Sequence, residues 1–263
     1  MAEPSLPRSP LAPRASRSAA RPVRAVSADE VARILEAHRL YLESGRRMGR
    51  RARLDSAELS GMDFSGMNLR RVRMDRAVLE GANFTDANLH RANLMGADLT
   101  RARLVRADLT QARLSGGKLV SADLEGACLA GADLEFAFLP GAVLRRASMR
   151  GADMSGVHLD GADLSGADLR EANLRGAGLR RARLDGADLR RARIGGAFLI
   201  QASLRGADLR EAYLRVAKLD AADLAGADLR GARGLTRAQL DTARLDAASR
   251  LSAGLIGGTG DGG

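Results

Sequence analysis

A large apolar residue recurs at every fifth position of this chain from Leu54 to Leu229, without an insertion or a deletion. Thirty of the thirty-six positions hold Leu, and the other six hold Phe64, Met74, Phe84, Met149, Met154 and Ile194. Two residues before each position stands a second residue that is almost always Ala, with departures at Met62, Met67, Val72, Gly117 and Val157. This unbroken period constrains the fold more than any other feature of the sequence.

A period of five does not suit an α-helix. Five helical residues rotate by about 500°, a net 140°, so successive Leu side chains would point to all sides of the helix. The 3.5-residue period of a coiled coil does not fit either. In an extended chain, residues two apart point to the same side, so each Ala and the following Leu can both face inward. One pentad cannot bury its own Leu, whereas stacked coils can, and the period therefore predicts a solenoid.

Individual copies match a known repeat. Ala-Asp-Leu followed by two variable residues occurs at Ala97-Asp98-Leu99, Ala107-Asp108-Leu109, Ala162-Asp163-Leu164 and Ala167-Asp168-Leu169. The pattern resembles the A(D/N)LXX motif of the pentapeptide-repeat family over about residues 51–233. The resemblance implies an all-β solenoid, a right-handed quadrilateral β-helix with four pentads per coil. Thirty-six pentads would then form about nine coils.

The two ends of the chain differ from the repeats. Residues 1–26 are rich in Arg, Pro, Ser and Ala with one acidic residue, which predicts a disordered tail. Residues 27–50 are expected to form an N-terminal capping helix, because Ser27 to Glu30 fit a capping box and apolar residues follow at helical spacing up to about residue 44. This segment looks like one that precedes the repeats in some bacterial members of the family.

At the other end the five-residue register stops after residue 233, where Gly234 occupies the expected Leu position. Thr236 to Gln239 fit a second capping box, so residues 234–253 are expected to form a C-terminal cap with a short helix. Leu235, Leu240 and Leu245 are expected to plug the open core. Residues 254–263 are Gly-rich and are expected to be disordered.

The composition agrees with a narrow aliphatic core, since aromatic residues make up only 3% of the chain and Trp is absent. No apolar run approaches the length of a transmembrane helix, and no apolar segment of a secretory signal stands near the N-terminus. A single cysteine, Cys128, fits a reducing compartment. These features predict a cytoplasmic protein of bacterial type. The Arg-rich tail also resembles an organellar transit peptide, an alternative that we favour less.

The sequence contains no pattern typical of catalysis. His38, His90 and His158 are isolated from one another and from Cys128, so neither a metal site nor a Cys–His pair is expected. The carboxylates recur with the repeat, and nothing singles out two of them as an acid–base pair. We therefore expect no catalytic residue, no cofactor and no metal, and a protein that is not an enzyme.

Two surface features stand out if residues 20 apart stack in successive coils. Apolar residues share one outward face at Val120, Phe138, Pro140, Phe198 and Ile200, with Phe136 and Tyr213 on the adjoining side. A second face carries an acidic and a basic column side by side, which consist of Asp168, Asp188, Asp208 and Asp228 and of Arg150, Arg170, Arg190, Arg210 and Arg230. The apolar face is a candidate interaction surface, and the charged ladder is either a solvated face or a docking surface.

Three functions remain open. The first is a scaffold that binds an unidentified protein partner or forms a weak homodimer, because a rod with a repetitive surface has few places for an enzyme site. The second follows from the resemblance, since some pentapeptide-repeat proteins bind DNA gyrase and topoisomerases by mimicking DNA and confer fluoroquinolone resistance. Such mimicry requires an acidic rod, whereas residues 51–230 hold 28 basic and 24 acidic groups.

The third function is binding of nucleic acid or of an acidic surface through the Arg-rich tail at residues 1–26. Sequence-specific readout is not expected, because the chain lacks an interleaved set of aromatic and basic residues.

Overall fold

The computed structural model describes residues 23–252. The Gly-rich tail expected at residues 254–263 and nearly all of the tail expected at residues 1–26 lie outside the described residues. The described chain begins with helix α1 (Ala28–Glu43), continues into the repeats and includes a short helix α2 (Arg237–Asp241) after them. No helix within residues 23–252 has both the length and the apolar character needed to cross a membrane.

Each coil of the rod contains 20 residues. Parallel β-bridges join Asp168 to Asp188, Asp188 to Asp208 and Asp208 to Asp228, and the same 20-residue offset holds from Arg53 to Arg233. Four pentads therefore form one coil with four faces, and each face contributes a very short bridged segment to the ladder. We number the faces by the first coil: face 1 at residues 52–54, face 2 at 57–59, face 3 at 62–64 and face 4 at 67–69.

Backbone hydrogen bonds hold neighbouring coils together along every face. For example, the N–H of Leu164 donates to the carbonyl of Arg183 at 2.6 Å, and the N–H of Arg183 donates to the carbonyl of Ala162 at 2.9 Å. The pattern repeats along the rod, so the backbone is satisfied by the coils above and below.

Inside the rod, the Leu and Ala positions of each pentad face one another across a dry core. Leu164 and Ala167 are fully buried, as are almost all of their equivalents. Phe64 and Phe84 stack in consecutive coils with their ring centroids 4.9 Å apart. Burial of one Leu side chain contributes about 1.5–3 kcal/mol, so the repeated core supplies the main stabilising term.

At the corners, the second residue after each Leu lies in the left-handed region. Gly166 has a φ of 67°, and Arg181 has a φ of 56° at the equivalent position of another pentad. The polar residue between Ala and Leu supports the turn, because Oδ1 of Asp163 accepts a hydrogen bond from the N–H of Ser165 at 3.0 Å. The Ala-Asp-Leu motif thus encodes both the core and the corner.

The N-terminal end of the core is covered by α1. Oγ of Ser27 accepts from the N–H of Glu30 at 3.1 Å and caps the helix, while the carboxylate of Glu30 pairs with Arg24 at 3.0 Å. His38 is buried against the first coil, and its Nδ1 accepts from the N–H of Ala52 at 3.1 Å. This contact fastens the helix to the coil whose core it covers.

The C-terminal end closes differently from the sequence expectation. Thr236 and Gln239 form a reciprocal capping box, and Nε2 of Gln239 also donates to the carbonyl of Ala217 at 2.8 Å. Leu240 is buried, but Leu245 lies outside the helix and is exposed, so its expected role in the plug was wrong. The bridges of Asp223 and Asp228 reach 21 and 22 residues ahead, to Arg244 and Arg250, which shows where the regular register ends.

Candidate functional site

Within residues 23–252, no group of three or more His, Cys, Asp or Glu residues is arranged to hold a metal ion. His90 is half-buried on face 4 and His158 is exposed on face 2, and neither pairs with the buried His38. Sγ of Cys128 lies 3.2 Å from Oγ1 of Thr110 in the previous coil. The features that distinguish this rod are on its outer surface.

The charged ladder forms on face 4 as expected from the sequence. Nε and one terminal nitrogen of Arg170 donate to the carboxylate of Asp168 at 2.8 and 2.7 Å. The same Nε lies 3.6 Å from Asp188 in the next coil, so this guanidinium bridges two carboxylates of the acidic column. Arg190 and Arg210 bridge two carboxylates in the same way. Equivalent bidentate pairs join Arg190 to Asp188, Arg210 to Asp208 and Arg230 to Asp228.

Mutual pairing neutralises most of the ladder. Hydrogen bonds from Arg170 lower the pKa of Asp168, and Asp168 in turn raises the pKa of Arg170. Arg150 has Ser148 in place of the acidic residue, and its guanidinium instead pairs with Glu171 at 3.0 Å. The ladder contributes to the rod's own cohesion, and its use as a docking surface stays a prediction.

An apolar patch forms on face 2. Phe138 and Phe198 belong to one column of bridged residues, which runs through Lys118, Phe138, His158, Gly178, Phe198 and Lys218. Phe138 has 44% of its surface exposed, while its four apolar neighbours on the face are half-buried. We call the five residues Val120, Phe138, Pro140, Phe198 and Ile200 the face-2 patch.

Two bulky residues project from the corner that borders this patch. Phe136 and Val216 are 65% and 64% exposed, and both have a left-handed φ of 54°. Glycine is the residue that adopts this conformation without strain, so large side chains here are retained at an energetic cost. Sequence reasoning identified Phe136 but missed Val216. The sequence did offer a signal for Val216, because a β-branched residue stands there at the second position after Leu, where Gly is common.

A polar pair occupies the middle of the face-2 patch. The guanidinium of Arg180 lies over the ring of Phe198, 4.7 Å from its centroid. The carboxylate of Asp160 accepts a hydrogen bond from the N–H of Arg180 at 2.8 Å. On the other side the rings of Phe138 and His158 are in tilted contact at 5.6 Å. The patch is therefore apolar at both ends and charged at its centre. Tyr213 lies on face 1, in the column of Arg193 and Arg233.

A groove of about 620 Å³ separates α1 from the first coil on faces 3 and 4. Leu35 and Val31 of the helix line one side, and Met62, Met67 and Leu69 line the other. Met67 is 38% exposed although the repeat places it inward, because the helix does not cover this half of the open core.

Comparison with known proteins places these features in context. The sequence model described as "Pentapeptide repeats" matches in eight copies, and the matched ranges together span residues 50–246. The crystal structure of HetL, a pentapeptide repeat protein involved in heterocyst differentiation regulation from the cyanobacterium Nostoc sp. strain PCC 7120, is 33% identical with a TM-score of 0.58. The similarity covers 86% of this chain and 93% of HetL.

A second pentapeptide repeat protein from Nostoc, alr5209, is 35% identical over 46% of this chain and 84% of its own, with a TM-score of 0.21. The plasmid-mediated fluoroquinolone resistance protein QnrB1 is 17% identical over 79% of this chain and 95% of its own, with a TM-score of 0.30. No curated protein sequence matches the chain. Together with the 20-residue coil, the match to the pentapeptide-repeat model and the similarity to HetL imply a right-handed quadrilateral β-helix.

Proposed function

Because this chain belongs to the pentapeptide-repeat family, we propose that it is a non-enzymatic rod that binds a protein through the face-2 patch and its flanking corner. The coils supply a rigid support, and the outward residues of face 2 supply the contact. The proposal goes beyond the family assignment, since the repeat defines the core and leaves the outer residues free to vary.

The observation that carries the proposal is the exposed aromatic corner. Phe136 combines an exposure of 65% with a left-handed φ of 54°, which is an unfavourable position for a bulky side chain. Phe138 stands beside it on the same coil, and Phe198 lies three coils further along the same column. Exposed apolar clusters of this kind mark contact surfaces more often than scattered single residues do.

The similarity to HetL is compatible with this function, because that protein is described as involved in regulation. The neighbour QnrB1 is too distant in sequence and structure to support resistance to fluoroquinolones here. A location in the cytoplasm and binding of nucleic acid or of an acidic surface by the Arg-rich tail stay predictions.

Affinity capture tests the proposal. The wild type, the Phe138→Ser/Phe198→Ser double variant and a Val143→Ser control would be immobilised and exposed to host lysate, and the captured proteins compared. Val143 is an outward apolar residue of face 3, so it controls for loss of a surface hydrophobic group. We expect the double variant to lose proteins that the wild type and the control retain. Equal capture by all three would refute a role for the patch.

A further inference from the structure

We propose that the protein that covers the face-2 patch is a second copy of this chain, packed face to face and antiparallel about a twofold axis. The inference rests on the proposed function, because it assigns an occupant to the same patch. It follows from the order of residues along face 2, whose two halves complement each other when one rod is turned end over end.

The twofold axis lies midway between the coils of His158 and Gly178 and runs across the face. This rotation keeps each column opposite the same column and reverses the order of the coils. Phe138 then faces Phe198 of the second copy, and Pro140 faces Ile200 of the second copy. Four of the five members of the face-2 patch therefore meet another apolar residue, whereas Val120 faces Asp220 of the second copy.

The charged centre of the patch is also complementary. Asp160 and Arg180 stand on adjacent coils of one column, one on each side of the axis, so Asp160 of each copy faces Arg180 of the other. A parallel twofold arrangement that kept this column opposite itself would instead place Asp160 opposite Asp160 and Arg180 opposite Arg180. Electrostatic complementarity therefore selects the antiparallel orientation.

Residue sizes match at the borders of the contact. Phe136, on the corner beside face 2, faces Gly196 of the second copy, and Val216 faces Gly116. A Cβ added to Gly196 or Gly116 would find no atom within 4 Å, so open space lies above both glycines. The exposed, left-handed residues of the corner thus project toward open positions.

The imidazole ring of His158 is also opposite a glycine, because it faces Gly178 of the second copy.

The two ends of the contact limit its affinity. Lys118 faces Lys218 of the second copy, which places two like charges opposite one another. Asp220 of the second copy lies next to that Lys218 and offsets part of the repulsion. Five coil steps separate the two lysines, about 24 Å along the rod, so the contact is much smaller than a standard interface. We therefore expect a dissociation constant on the order of 100 µM rather than an obligate dimer.

Sedimentation equilibrium of the full chain up to about 1 mM tests the inference. We expect the wild type to dimerise, and Asp160→Arg and Arg180→Asp to weaken dimerisation at least about tenfold each, because each variant places like charges opposite one another. Asp123→Arg on face 3 is the control, since it changes the net charge by the same amount as Asp160→Arg but lies away from the patch. Melting curves establish that each variant is folded.

The decisive measurement is a mixture of the two charge variants. Each heterodimer would contain two complementary Asp–Arg contacts, so the mixture should regain association that neither variant has alone. A monomeric wild type, a dimer that both variants form as well as the wild type does, or a mixture that stays monomeric would overturn the inference. Lysate capture that depends on Phe138 and Phe198, with a strictly monomeric wild type, would refute the second copy while leaving the proposed function intact.

Discussion

The aromatic ring of Phe136 lies over Gly156, its counterpart in the next coil, so closely that a Cβ on the glycine would come within 2.5 Å of the ring. Gly156 itself has a left-handed φ of 62°. Two independent constraints therefore hold a glycine at this position, namely the backbone conformation and the ring above it. The pair shows that a side chain on one corner restricts the corner of the neighbouring coil.

Replacement of Phe136 by Gly should raise the stability of the monomer and reduce its association. Glycine relieves a left-handed conformation that costs an L-residue about 1–2 kcal/mol, while the exposed ring contributes little to the core. Thermal melting and sedimentation would measure the two effects. Arg146→Gly is the matched control, because Arg146 has a φ of 56° at a corner of face 3. It should gain a similar stability without loss of association, and a Phe136→Gly variant that melts lower than the wild type would contradict the strain argument.

Insertions in the middle of the rod should depend on their length. One Ala after Ser165 would turn every later Leu outward, whereas 20 residues with the composition of one coil would restore each face to its column. Five residues should be intermediate, because they keep the core pattern but move later residues to the next face. We expect the variant with the 20-residue insertion to have the highest melting temperature, the five-residue insertion an intermediate one and the one-residue insertion the lowest. Equal melting temperatures for the three variants would show that the coil length does not set the register.

Truncation of a core residue should cost far more than truncation of a ladder residue. Leu164 is fully buried, so Leu164→Ala should lower the free energy of unfolding by about 2–5 kcal/mol. Arg170 is partly exposed and pairs with Asp168 at the surface, so Arg170→Ala should lower the free energy of unfolding far less than Leu164→Ala does. Denaturant unfolding of both variants checks the prediction, and comparable losses would contradict the separation of core and surface.

The stacked pair Asp55 and Asp75 should make the first coil sensitive to pH. Burial and a hydrogen bond with Asp75 raise the pKa of Asp55, so the folded chain holds this proton more tightly than the unfolded chain does. The resulting stabilisation is present below the usual value near 3.8 and is lost as the pH rises through the raised pKa. Asp55→Asn, which is always neutral, should therefore raise the melting temperature at pH 7 but not below about pH 4.

An Asn stacked against an Asp of the neighbouring coil, as Asp55→Asn would create, already occurs elsewhere in the rod. Nδ2 of Asn173 donates to Asp153 of the previous coil at 3.0 Å. Asp86→Asn is the contrasting control, since a hydrogen bond from Arg106 lowers the pKa of Asp86. That variant should not gain stability at pH 7. A gain of the same size in both variants would point to net charge rather than to the Asp55–Asp75 pair.

Acid should loosen the N-terminal cap through His38. Burial lowers the pKa of His38 below its usual value near 6.5, so the folded chain favours the neutral ring. Its stabilising contribution is present above pH 6.5 and is lost as the pH falls through the lowered pKa. The protection factors of the amides in α1, which are corrected for the intrinsic exchange rate at each pH, should fall as the pH drops below about 6.5. His38→Gln should flatten this dependence, whereas His158→Gln should not alter it.

The buried Leu and Ala positions could be predicted from the sequence, because the five-residue period identifies them without any knowledge of the structure. Every Leu position from Leu54 to Leu229 is buried, and the polar residue between Ala and Leu supports the turn. The family resemblance, not the period, supplied the four pentads per coil. The coverage of the core ends could not be predicted in detail, because it depends on how α1 is placed. Met67 stays exposed beside this helix, and Leu245 lies beyond the short α2.

The candidate surface was only partly predictable. Stacking residues 20 apart identified Phe138 and Phe198 as neighbours on one face, whereas the contact of Arg180 with Phe198 requires side-chain positions. The strain at Val216 depends on its left-handed backbone conformation, which cannot be inferred from the residue type alone.

The hydrogen bonds between coils imply a direction in which the rod would fail under load. Each coil is joined only to its two neighbours, so an end coil can detach without disturbing the coils beyond the next one. A pulling force or a processive protease would consequently unwind the chain in steps of 20 residues, starting at an end. At the N-terminal side, the bridge between Arg24 and Ala57 and the hydrogen bond between His38 and Ala52 hold the chain to the first coil, so they are the contacts that must break before the first coil unwinds.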